Sequence, residues 1–61
     1  MSSDTILIQY LDECGWQTVR NITGPQSAYM TNLDMKEVAR MFPSRRVRAV
    51  DGNERLIDIL N

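Results

Sequence analysis

Only one stretch of this chain has helical spacing. Met35, Val38, Ala39 and Phe42 recur at i, i+3, i+4 and i+7 and form a single apolar stripe. Lys36, Glu37 and Arg40 take the other side. Pro43 ends the helix, because proline disfavours helical geometry in the residue before it. Thr31-Asn32-Leu33-Asp34 offers cap residues and an acid for the first turn. Gln26 to Met30 is either loop or the first turns of a longer helix that begins near Ser27. One short helix covers one side of whatever it packs against, and this bounds every fold open to the chain.

The flanking segments read as strands. Thr5 to Leu11 and Trp16 to Ile22 are rich in β-branched and aromatic residues and are separated by Asp12-Glu13-Cys14-Gly15. Gly15 can take the positive φ that closes a short loop, and Asp12 can bond the backbone ahead of it. Gly24-Pro25 ends the second strand. Arg45 to Asp51 and Arg55 to Leu60 form a second pair around Asp51-Gly52-Asn53-Glu54, a hairpin signal. A two-residue loop at Gly52-Asn53 would set Val47 opposite Asp58 and Arg48 opposite Ile57. A three-residue loop from Gly52 to Glu54 sets Val50 opposite Leu56, Ala49 opposite Ile57, Arg48 opposite Asp58 and Val47 opposite Ile59. The second scheme pairs like with like and opposite charges with each other, so it is preferred.

The order is ββαββ, an α+β fold of antiparallel hairpins in a four-stranded sheet with one helix on one face. Residues 1–61 make a single small domain. The expected core is Ile6, Ile8, Val19, Val47, Ala49, Ile57 and Ile59 beneath Met35, Val38, Ala39 and Phe42. Alternation sends Leu7, Leu11 and Trp16 to one face, and Ile6, Ile8 and Tyr10 to the other. The face without a helix then leaves Leu7, Leu11, Trp16, Val50, Leu56 and Leu60 partly exposed, which marks an interaction surface. The plainer alternative is that the sheet coils enough to hide them.

Size matters here because a core in 61 residues is small. The single cysteine, Cys14, rules out an intrachain disulfide, and the absence of histidine removes most metal sites. The remaining way to brace such a core is a second copy, so a homodimer is expected. The longest apolar run is Ile6-Leu7-Ile8, so no membrane span is expected. Met1-Ser2-Ser3-Asp4 lacks the basic start of a signal peptide, and a free thiol suits a reducing cytoplasm.

Chemistry is sparse. Without histidine, Cys14, Thr18, Thr23, Ser27 and Ser44 have no base, and Glu13 beside Cys14 disfavours a thiolate. Asp12, Glu13, Asp51 and Glu54 sit at hairpin tips, where acids serve turns more often than acid/base or cation sites. No enzyme and no cofactor is expected. The four methionines are adaptable packing residues, with Met30 and Met41 off the core stripe.

Arg45, Arg46 and Arg48 form the one basic cluster, with Lys36 and Arg40 upstream. With Tyr10 or Trp16 nearby, such a stripe can bind single-stranded nucleic acid. A net charge of -1 and a pI of about 5.1 argue against that. The simpler reading is a solvated strand with an Arg48–Asp58 cross-strand pair. Eight acids are too few to imitate a DNA duplex.

The tail from Arg46 to Leu60, RVRAVDGNERLIDIL, together with the early Gly15-Trp16-Gln17-Thr18-Val19, resembles small accessory proteins of phages and mobile elements. The likeness covers about two-thirds of the chain. Gly24 to Asn32 is longer than the corresponding stretch of that pattern. The resemblance implies a protein that binds and modulates a host enzyme or defence complex, and it carries over no functional residue. The expectation is therefore a non-enzymatic interaction module, dimeric, with Leu7, Tyr10, Leu11 and Trp16 as apolar anchors. Arg46 and Arg48 are its charged contacts. The alternative is a small nucleic-acid-binding regulator that uses Arg45, Arg46 and Arg48.

Overall fold

A computed structural model describes residues 5–24 and 28–60. Its elements run β1 (Thr5–Asp12), β2 (Gly15–Thr23), α1 (Ala28–Met41), β3 (Val47–Asp51) and β4 (Leu56–Leu60). This is the expected α+β, ββαββ order. The four antiparallel strands lie in one open sheet, ordered β2-β1-β3-β4, with α1 packed on one face. Both β2 and β3 run opposite to β1, so they run the same way with β1 between them. A connection between strands of equal direction needs a crossover, and α1 supplies it. As expected of the Gly24-Pro25 stop, β2 ends at Thr23 and Gly24 follows with φ 103°; Pro25 itself and the helix start near Ser27 lie outside the described residues, as do Met1 to Asp4.

The helix is the longer of the two forms the sequence allows. It already includes Thr31, which is buried, and Asn32. Thr31-Asn32-Leu33-Asp34 is therefore not a cap, and Asp34 is an interior residue of the helix instead of a first-turn acid. The expected stripe does face the sheet. Met35 and Val38 are fully buried, and Ala39 and Phe42 pack at the margin of the core. Phe42 follows the last helical residue and donates its N–H to the Val38 carbonyl at 3.1 Å, after which Pro43 turns the chain.

The core cluster is Ile8, Met35, Val38, Val47 and Ala49, with Ile6, Val19, Ile22, Tyr10 and Leu60 around it. Each large apolar side chain taken out of water here contributes about 1.5–3 kcal/mol. Polar contacts fasten the helix to the far edge of the sheet. Arg20 on β2 donates to Asp34 at 2.8 Å and to Glu37 at 2.7 Å. The hydrogen bond to Glu37 is the main cause that raises the Arg20 pKa, opposed by desolvation.

The first hairpin keeps the expected register, with Leu11 opposite Trp16. Its loop is shorter than the four residues expected: Asp12 pairs with Gly15 and only Glu13-Cys14 turn. Gly15 takes φ 115°, a value open to glycine at little cost. The register then slips between Ile8 and Gln9, and Val19 is the extra residue on β2. Without that bulge Arg20 would fall on the face away from α1.

The second hairpin has the three-residue loop, and a further bulge alters the pairing beyond it. Asp51 donates its N–H to the Arg55 carbonyl at 2.9 Å, and its carboxylate accepts the N–H groups of Asn53 and Arg55. Val50 stands opposite Leu56 as expected. Farther from the loop the partners are Ala49–Asp58, Arg48–Ile59 and Val47–Leu60, with Ile57 as the extra residue. The expected pairs Ala49–Ile57, Arg48–Asp58 and Val47–Ile59 therefore do not form. One inserted residue in a period of two exchanges the faces of everything after it. Ile57 leaves the core and is 45% exposed, Ile59 moves to the face without the helix, and Leu60 takes the core-side position.

Candidate interaction surface

The face opposite α1 is fixed by register. Ile8, Val47 and Ala49 meet the helix, so their strand neighbours point the other way. Along one row Trp16 stands opposite Leu11. In the next, Thr18, Gln9, Arg48 and Ile59 lie side by side across all four strands. In the third, Asn21, Leu7, Val50 and Leu56 do the same. Arg46 precedes β3, and its carbonyl accepts the Leu11 N–H at 2.9 Å, which brings it to the Trp16 end.

Exposure across this face is uneven. Leu7, Leu11 and Trp16 are half-buried, and Leu56 is 58% exposed. Val50, expected to be partly exposed, is completely enclosed by its neighbours, and Leu60 lies on the helix side. The centre of the face is thus closed at Val50, and its apolar margin is open at Leu56.

A polar chain crosses the middle row. Gln9 is only 7% exposed, and its amide donates to the Thr18 hydroxyl at 3.1 Å. Its carbonyl oxygen accepts from Arg48 Nε at 2.8 Å. The Arg48 guanidinium lies over the Trp16 ring, 4.2 Å from its centroid. Arg48 is thus held by a hydrogen bond on one edge and by an aromatic surface on one plane. Among the described residues no acid lies within ion-pair distance of Arg48 or Arg46, whereas Arg45 has Asp12 at 4.0 Å.

Of the apolar anchors named from the sequence, Leu7, Leu11 and Trp16 share this face with Arg48. Tyr10 does not. It lies on the helix side, stacked on Phe42 with ring centroids 3.9 Å apart and planes within 5°. Gln9 and Thr18 were missed as members of the site, although alternation along β1 places Gln9 with Leu7 and Leu11. Among the described residues no group of three or more acids or thiols is placed to hold a metal ion, and Cys14 is exposed and free. No helix there is long and apolar enough to cross a membrane. Comparisons with family models, curated proteins and solved structures find no match, so the face has to be read from its own residues.

Proposed function

We propose that this protein is a non-enzymatic interaction module that binds a larger protein through the uncovered face of its sheet. The observation that supports this most is the ordered pair Trp16–Arg48 on a face rimmed by Leu7, Leu11 and Leu56. Aromatic residues and arginine dominate the energetics of protein interfaces. The resemblance to phage and mobile-element accessory proteins agrees with a role in occupying a surface of a host enzyme or defence complex in the cytoplasm. Self-association belongs to the same reading. Leu56 and Ile57 are exposed on β4, an edge strand that a second copy can cover.

The test is capture from the native host, with the unaltered chain and Trp16→Ala compared side by side. Loss of the captured partner with Trp16→Ala, at unchanged helix content, is the expected result. Equal capture by both chains overturns the reading. A molar mass corresponding to one copy at all concentrations removes the dimer from it.

The nucleic-acid alternative draws on Arg45, Arg46 and Arg48. It is weakened because Arg48 already occupies one plane of the Trp16 ring and Arg45 has an acidic neighbour. Phosphate binding would fall steeply with added salt.

A further inference from the structure

We infer that Arg48 is a preorganised receptor for a carboxylate carried on an apolar segment of a partner protein. This rests on the proposed interaction role and names the chemistry of what the face binds. A free arginine loses considerable side-chain freedom when it pairs. Arg48 is already ordered: Gln9 accepts from its Nε at 2.8 Å, Trp16 supports its plane at 4.2 Å, and Thr18 holds Gln9 in turn. Gln9 is nine-tenths buried and turns its acceptor toward the arginine, so this geometry is set before any ligand arrives.

Charge tells what is missing. The face presents Arg48, with Arg46 at one end, and its three rows contain no acid. The acids around the sheet have other contacts: Asp12 lies 4.0 Å from Arg45, Asp58 alternates to the helix side and accepts the Ile59 N–H, Asp51 serves its own loop, and Asp34 and Glu37 pair with Arg20. Arg48 keeps its terminal nitrogens for an outside acceptor, since its described contacts use only Nε and the guanidinium plane. A guanidinium offers a planar fork that fits a carboxylate with two parallel hydrogen bonds.

The surroundings choose between carboxylate and phosphate. Ile59 stands beside Arg48, and Leu7 and the exposed Leu56 lie in the next row. A nucleic-acid strand would bring repeated phosphates to a site with only two arginines, and one plane of the lone tryptophan is already taken. A Glu or Asp among leucines or isoleucines matches the apolar rows and the fork together.

Trp16 is the one tryptophan in the chain, so its fluorescence reports on this site directly. The test titrates the intact protein with a helical peptide that carries a central Glu on a leucine face. A second titration uses the same peptide with Gln in place of Glu, and a third uses oligothymidylate. The expected result is a Trp16 response to the Glu peptide, with binding of the Gln peptide weaker by about tenfold or more. Arg48→Lys should lose a similar factor, because a lysine keeps the charge but not the fork. Equal binding of the two peptides, preference for oligothymidylate, or no response to either peptide overturns the inference, and none of these needs a variant to fold. If the peptides fail while Trp16→Ala still abolishes capture of the native partner, the carboxylate assignment falls and the interaction reading stands. If capture is also unchanged, both fall.

Discussion

Arg48 and Trp16 come from different hairpins, and the guanidinium of the first rests 4.2 Å from the ring centroid of the second. The contact ties β3 to the edge strand β2 across the intervening β1. A half-exposed cation–π pair is worth about 0.5–1 kcal/mol. A double-mutant cycle with Trp16→Leu and Arg48→Met, read by urea unfolding, should return a coupling of about that size. Arg48→Met alone should cost more, about 1–3 kcal/mol, because it also strips the buried Gln9 carbonyl of its donor. A coupling of zero would show that the two side chains do not sense each other.

Arg20 fastens the helix to β2 from a partly exposed position, with side-chain exposure of 37%. Solvent screening limits what such pairs contribute, so Arg20→Gln should cost about 1 kcal/mol or less and the cost should shrink in high salt. The sign of the pH effect comes from the raised Arg20 pKa. A base held above its unfolded value contributes fully below that value and loses the contribution only as pH climbs past the folded one. Urea midpoints of the unaltered chain and Arg20→Gln should therefore differ by the same amount across neutral pH. On the alkaline side the gap should close only in strongly basic solution.

Glu54 has φ 63°, the one positive value among the described non-glycine residues. A side chain in this region meets the backbone of its own residue, which glycine avoids. Glu54→Gly should stabilise the chain by about 0.5–1 kcal/mol despite the added freedom of the unfolded state. The melting temperature should rise by a few degrees, about 4–8 °C per kcal/mol in a domain of this size. A fall would mean that the loop has some other conformation.

The bulge at Ile57 makes a prediction opposite to the plain alternation of β4. Leu60→Ala should cost about 2 kcal/mol or more, since Leu60 packs on the core. Ile57→Ala should cost well under about 1 kcal/mol, as expected at an exposed site. The reverse ranking in urea unfolding would restore the register without a bulge.

Met35 and Met41 give a similar contrast on the helix. Met35 is fully buried and Met41 is 56% exposed. Met35→Ala should cost about 2–5 kcal/mol, enough to unfold a domain with so small a core. Met41→Ala should fall within about 0.5 kcal/mol of the unaltered chain.

What the sequence made legible was the set of periods and punctuation. The stripe from Met35 to Phe42, the stop at Pro43, the loop from Gly52 to Glu54 and the pairing of Leu11 with Trp16 all rest on local chemistry. What it hid depends on insertions of one residue. Nothing in the type of Val19 or Ile57 announces a bulge, yet each exchanges the faces of its neighbours and so decides where Arg20 and Leu60 point. The helix start was ambiguous for another reason. Tyr29, Met30 and Leu33 are apolar but exposed, so their spacing does not report a buried face. At the candidate surface, Trp16 and Arg48 stand out by type. The Gln9–Thr18 support is visible only once the strands are aligned, whereas Tyr10 goes to the helix side by the same alternation that places Ile6 and Ile8 there, and stacks on Phe42.

The central seam of the sheet joins β1 to β3, segments far apart along the chain. Each hairpin can begin to form from its own turn, but neither buries much until the two have met. Closing that distance costs loop-closure entropy before any non-local contact repays it. A nascent chain released no further than α1 would expose the whole inner edge of β1, and in that interval it is most prone to pair with the wrong neighbour.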